Sequence, residues 1–392
     1  MHHPPQPHYS FTIPSVHDDT TLECRIYHPE VLSRPRSHES NSDVFPTWGK
    51  KGIVMAHPYA PMGVPTTIVL MGYVVGTFNF RGAHASKGRT SWSGKPEVDD
   101  YISFAAFFIH YLSFIHPFPS SSANFTPEQS PVSPRLSKRN ELCGTQDRAS
   151  SIVVLGGYSY GSLILRNLPP VPSILQPFCA PLNGSSASEI LLRAHKLSDQ
   201  SNLEWINQAR DNERQKRRGH DNKLSVTMGG EETSPDVRRS SREIRRSIDG
   251  RRSLDLGDRL RSLSHRRRKD SAGPKTPPEG TARPIITVPE IRYFLVSPLT
   301  APISTLAAPG LAPKFWSKDK SHSEIFGRHN SLAVFGDHDI FSAVKKVKQW
   351  AEKLESEPGS KFSHVEIAGA GHFWVEEGVE MQLRTTMREW GG

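Results

Sequence analysis

Ile152-Val153-Val154-Leu155-Gly156-Gly157-Tyr158-Ser159-Tyr160-Gly161-Ser162-Leu163-Ile164-Leu165 reads as a strand, a sharp turn and a helix. The run Ile152 to Leu155 is apolar and rich in β-branched side chains, as a buried parallel strand requires. Gly157, Ser159 and Gly161 then follow at alternate positions. That spacing answers a steric demand. A serine at the tip of a strand-to-helix turn adopts a strained backbone and projects its hydroxyl clear of the sheet. Glycines two residues to either side let the strand and helix backbones pass closely. The helix start is expected to aim backbone N–H groups and a positive dipole end at the serine. A glycine-rich turn with an incidental serine satisfies the same pattern, so the neighbouring segments have to decide.

Downstream, Ile291 to Val296, Ser331 to Gly336 and Phe362 to Ile367 have strand character. Ser342 to Leu354 and Val375 to Trp390 read as helices. Upstream, Phe11 to Ile13 and Leu22 to Tyr27 form an opening pair of strands around Asp18-Asp19. Gly52 to His57 and Tyr73 to Phe80 are the next strands. An acidic, proline-bearing start at Lys95 to Asp100 leads into an apolar helix from Tyr101. Pro169-Pro170 ends the helix after Ser159 early, and Ser188 to Ala209 has partial helical spacing. Strands alternating with helices of these lengths predict an α/β fold with a mostly parallel central sheet flanked by helices.

In such a sheet, chemistry gathers just past the C-terminal ends of the strands. Ser159 follows one strand, Gly336-Asp337-His338-Asp339 a second, and Gly369-Ala370-Gly371-His372-Phe373-Trp374 a third. Read from the residues, either Asp337 or Asp339 can serve as the acid. His57 reads as a structural residue at a strand end. Arg81 is expected to pair with a helix-start acid such as Asp99. Phe373 and Trp374 are expected to pack under the serine–histidine pair or to line a pocket.

The order Ser, Asp, His is that of the α/β-hydrolase triad. The chain resembles the α/β-hydrolase superfamily, and within it the small "alpha/beta superfamily hydrolase" group of bacteria and filamentous fungi. The likeness is carried by H-P-x-x-P at His57 to Pro61, F-N-F-R-G at Phe78 to Gly82, and G-x-S-x-G at Gly157 to Gly161. G-x-x-D at Gly336 to Asp339 and G-x-x-H at Gly369 to His372 complete it. It covers Phe11–Ile164 and Ile291–Trp390. The resemblance implies an α/β-hydrolase fold with Ser159 as nucleophile, His372 as general base and Asp339 as its orienting acid. It implies backbone oxyanion donors at Tyr160 and Tyr59, and no metal or organic cofactor. The substrate class implied is a small-molecule acyl compound, an ester, thioester or amide. One departure stands out. The family places a glycine-rich loop and a full helix between its third and fourth strands, whereas only Met62 to Gly72 joins them here. A parallel crossover needs at least about 10–12 residues, so this connection is expected to be truncated.

Composition divides the 392-residue chain. Only 35% of its residues are hydrophobic and 32 are proline, so part of it is expected outside the core. The stretch Ala209 to Arg283 carries 21 Lys and Arg against 12 Asp and Glu, the whole of the net charge of +9. The expected organisation has a first core segment, 1–168, with loop insertions at 31–51 and 116–150. A candidate helical cap at 169–209 follows, then a disordered basic Arg/Ser-rich insertion at 210–284 and a second core segment at 285–392. Ser241, Ser247 and Ser253 follow paired arginines and suit a basophilic kinase. Arg266 to Lys269 resembles a nuclear-import signal. No aromatics interleave these arginines, which argues against single-stranded nucleic acid. Three cysteines, Cys24, Cys143 and Cys179, are too few for a disulfide framework. Met1 to Ser15 lacks an apolar core, and no run is long enough to span a bilayer. The expectation is a cytoplasmic protein, with access to the nucleus through Arg266–Lys269.

A serine hydrolase is the first functional reading. The truncated connection and the Arg/Ser insertion motivate a second, a hydrolase-fold interaction or regulatory protein that has lost turnover. Binding of nucleic acid or an anionic membrane through the insertion is a third.

Overall fold

The apolar runs become the strands of a single sheet in the computed structural model, which describes residues 6–33, 48–58, 72–117, 151–224, 288–311 and 321–391. Eight strands are present among these residues. They are β1 (Tyr9–Pro14), β2 (Thr21–Tyr27), β3 (Lys51–Ala56), β4 (Val74–Phe78), β5 (Ile152–Tyr158), β6 (Glu290–Val296), β7 (Ser331–His338) and β8 (Phe362–Gly371). Their order is β1-β2-β4-β3-β5-β6-β7-β8. Strand β2 is antiparallel to both β1 and β4, and every pairing from β4 to β8 is parallel. This is the α/β-hydrolase fold. The chain leaves β3 for β4 on one side and returns to β5 on the other, so the crevice at the ends of β3 and β5 is a topological switch point.

Helices cover the two faces. They include α1 (Glu30–Ser33), α2 (Lys95–Phe114), α3 (Tyr160–Leu165), α4 (Val171–Cys179) and α5 (Ser186–Leu224), then the helices Ile303–Ala307, Ser321–Arg328, Val344–Glu355 and Val379–Gly391. On one face, Val54, Ala56, Val153 and Leu155 pack with Phe104, Phe107 and Phe108 of α2. On the other, Ile53, Met55, Val154 and Phe294 pack with Leu383 and Met387 of the last helix. Alternate residues of β3 and β5 thus serve opposite cores, which is why these strands are apolar throughout rather than alternating. No described helix is long and apolar enough to cross a membrane.

Residues Met1–Asn212 and Ile285–Gly392 make one compact unit. Glu213–Pro284 make a second, of which residues 213–224 alone are described. The connection 62–71, the greater part of the loops expected at 31–51 and 116–150, and the kinase and import motifs lie outside the described residues.

One sequence reading is corrected here. Arg81 pairs with Asp100, not Asp99. Its Nε and Nη2 donate to the two carboxylate oxygens at 3.0 and 2.7 Å, and Nη1 reaches Asp18 at 3.0 Å. Successive residues of a helix point about 100° apart. Asp100 therefore faces the interior with no exposure, while Asp99 turns outward to His17. Burial alone would lower the Arg81 pKa, but the bonds and charge of Asp100 outweigh it and raise it. The region after Pro170 also forms a helix of its own, α4, with Pro170 just outside its first turn, where a proline costs no hydrogen bond.

Helix α5 is pinned along the β1–α2 flank. Ser201 Oγ lies 3.0 Å from Tyr9 Oη and 2.9 Å from Tyr111 Oη. Trp205 Nε1 donates to the Leu32 carbonyl, and Asn202 Nδ2 to that of Phe114. Its apolar positions Ile190, Ala194 and Trp205 join the core on the α2 face.

Candidate active site

The turn after β5 has the predicted geometry. Ser159 stands at φ 52, ψ −112, a left-handed backbone that a residue with a side chain rarely adopts. Its N–H donates to the Val296 carbonyl at 2.9 Å, and its own carbonyl accepts from Ser162 and Leu163. The flanking glycines are required by contact. A Cβ on Gly157 would lie 2.4 Å from the Gly161 carbonyl group, and one on Gly161 would lie 2.5 Å from the Ala56 oxygen. Helix α3 has only six residues.

Strand β7 delivers the acid. Its pairing with β8 has an irregularity between Gly336 and His338. Asp337 is used structurally, its Oδ1 accepting the Gly369 N–H at 2.7 Å. Asp339 is left to face the crevice, its side chain 1% exposed. Its Oδ1 accepts the N–H groups of Phe341 and Ser342 at 2.8 and 2.9 Å. Its Oδ2 lies 2.8 Å from His372 Nδ1. Of the two aspartates that the residues alone left open, Asp339 meets His372 and Asp337 the Gly369 N–H.

His372 follows the last strand, and its Nε2 stands 2.8 Å from Ser159 Oγ. A carboxylate only accepts, so Nδ1 carries the ring proton and Nε2 is the acceptor for the serine hydroxyl. Burial pushes the Asp339 pKa up, but the His372 bond and charge, with the two backbone N–H groups, prevail and hold it below the usual value. The Tyr158 hydroxyl donates to the His372 carbonyl. The Phe341 ring lies 4.7 Å from the imidazole, centroid to centroid, and restricts its rotation.

Ser159, Asp339 and His372 are thus brought into one hydrogen-bonded line from three strand ends. Tyr160 begins α3 beside Ser159, and Tyr59 lies outside the described residues. His57 takes no part in the line. Its Nε2 accepts the Phe80 N–H at 3.0 Å and its Nδ1 bonds the Pro58 carbonyl. Burial lowers its pKa, so the ring is a neutral brace between the ends of β3 and β4.

A cavity of about 710 Å³ opens over Ser159 and His372. Thr90, Ser91, Trp92, Leu299, Ile303 and Leu306 line it, with Phe341 and Phe373 against His372. None of residues 169–209, expected as a cap, lines it. Phe373 does line it, whereas Trp374 is buried in the core with Nε1 donating to Ser297 Oγ at 3.1 Å. Tyr158, Phe341 and the 90–92 wall were missed from sequence. Tyr158 occupies a variable position of G-x-S-x-G, and the others sit in loops with no periodicity to flag them.

No family model matches the chain, and no curated protein matches its sequence. Solved structures similar to it include an α/β serine hydrolase homologue from Coxiella burnetii, 13% identical, with TM-score 0.40 and 98% of each chain covered. An α/β serine hydrolase without lid from Xanthomonas campestris is 12% identical, with TM-score 0.39, 99% of this chain and 96% of that one covered. An esterase from Pyrococcus furiosus is 9% identical, with TM-score 0.40 and coverage of 97% and 89%. Likeness at this level says nothing of substrate.

Proposed function

We propose that this chain is a serine hydrolase that cleaves an ester, thioester or amide through an acyl-enzyme. The observation that carries this reading is the line Asp339 Oδ2, His372 Nδ1, His372 Nε2, Ser159 Oγ, with both contacts at 2.8 Å. Ser159 Oγ attacks the substrate carbonyl carbon while its proton passes to His372 Nε2. The carbonyl oxygen takes the electron pair, and the Tyr160 backbone N–H is assigned as one donor to it. The tetrahedral adduct collapses, the bond to the leaving group breaks, and His372 returns the proton to that group. Water repeats the sequence to release the acid. The Asp339 carboxylate orients the ring and stabilises the imidazolium that forms twice per cycle.

A fluorophosphonate serine-hydrolase probe tests this directly. The expected result is labelling of the wild type at Ser159 and none in Ser159→Ala. A folded wild type that stays unlabelled refutes the proposal.

A further inference from the structure

We propose that the site accepts an uncharged aliphatic acyl group longer than acetyl, a deepening that rests on Ser159 being the nucleophile. The lining of the cavity carries the argument. Among the described residues that line it, none is Lys, Arg, Asp or Glu. A substrate with a carboxylate or phosphate remote from the scissile bond would enter without a countercharge, and desolvating such a group uncompensated is costly. The walls instead offer Leu299, Ile303, Leu306, Phe341 and Phe373, and the volume of about 710 Å³ far exceeds what an acetyl group needs.

The mouth points the same way. Trp92, 83% exposed, and Leu306, 68% exposed, both line the cavity. Large apolar side chains left in water around one opening are what an apolar ligand would cover. The Trp92 wall is also held in place. The buried Glu97 carboxylate accepts the Ser91 N–H at 2.6 Å and its hydroxyl at 2.5 Å. Ser91 Oγ in turn accepts the Gly94 N–H at 3.0 Å. An apolar chain would therefore meet a prepared wall and not have to order one.

Each methylene buried there is worth about a fourfold gain in rate. The test uses methyl, butyl and octyl fluorophosphonates and an octyl analogue ending in a carboxylate. In each, Ser159 Oγ bonds to phosphorus, the P–F bond breaks, fluoride leaves and the serine proton goes to His372. The expected result is a second-order labelling rate that climbs about fourfold per methylene from methyl to butyl, with the terminal carboxylate erasing the octyl gain. Leu306→Asp and Trp92→Ser, both at exposed lining positions, should each cut the octyl-to-methyl ratio about tenfold or more. Ser159-dependent labelling that is flat across chain lengths, or indifferent to the carboxylate, overturns the acyl assignment and leaves the nucleophile standing. Absence of Ser159-dependent labelling by every member overturns both.

Discussion

Two regions of this molecule bury histidines, and they treat them in opposite ways. At the ends of β5, β7 and β8, His372 is held between a carboxylate and a serine hydroxyl. On the α2–α5 flank, His28 and His110 are buried, and among the described residues no carboxylate bonds either ring. His28 Nε2 lies 2.6 Å from the Tyr111 hydroxyl, beside the Tyr111 and Trp205 rings. Among the described residues, His110 has no hydrogen-bond partner at either ring nitrogen. Burial, aided by a neighbouring histidine in each case, drives their pKa values down to about 3 and about 4. The comparison teaches that burial by itself makes a histidine inert. His372 differs in its partners, a carboxylate at one ring nitrogen and a serine hydroxyl at the other.

The sharpest way to break this contrast is to remove the ring at the site. With the activity proposed, His372→Ala and Ser159→Ala should each lower kcat/KM for an ester by about 10⁵–10⁶. Retention of activity within tenfold in His372→Ala would make the two regions equivalent. Asp339→Asn should cost about 10⁴ in kcat, because the ring is then held in the wrong tautomer. Steady-state kinetics on the same ester measures both.

The inert histidines are tested through stability. A histidine near 6.5 in the unfolded chain and near 3 or 4 in the folded one favours folding only while neutral. Its contribution is present above about pH 6.5 and is lost as pH falls toward the folded value. Urea unfolding at pH 7 and pH 5 should differ by on the order of 1–2 kcal/mol for each ring, and His110→Leu should flatten the curve. Asp339 loses its contribution in the same direction but in a lower pH window. Its lowered folded pKa contributes stability above about pH 4 that is lost only as pH falls through the folded value, so the drop from pH 7 to 5 leaves it intact.

His57 lies between the two cases, since it borders the cavity region yet bonds only backbone groups. His57→Leu should lower stability by about 1–3 kcal/mol, through the orphaned Phe80 N–H. Fluorophosphonate labelling of the folded fraction should persist. Abolished labelling with unchanged stability would move His57 into the chemistry.

The sequence by itself determined the elements that are periodic or sterically singular. The apolar run and glycine spacing at Ile152 to Gly161 yielded β5, the turn and the position of Ser159, because only glycine fits the contacts at 157 and 161. Strand ends placed Asp339 and His372 near one edge of a parallel sheet. Only the tertiary structure decided the rest. It brought Asp339 and not Asp337 against His372, and Asp100 and not Asp99 against Arg81 through the phase of α2. It laid residues 186–205 along β1 and α2 and left them out of the lining over Ser159. It also assembled the apolar cavity from residues near 90, 300, 340 and 373. These are questions of which direction a side chain faces and which distant segment it meets. A one-dimensional pattern holds the local propensity for each element, whereas facing and meeting are settled only when the elements pack.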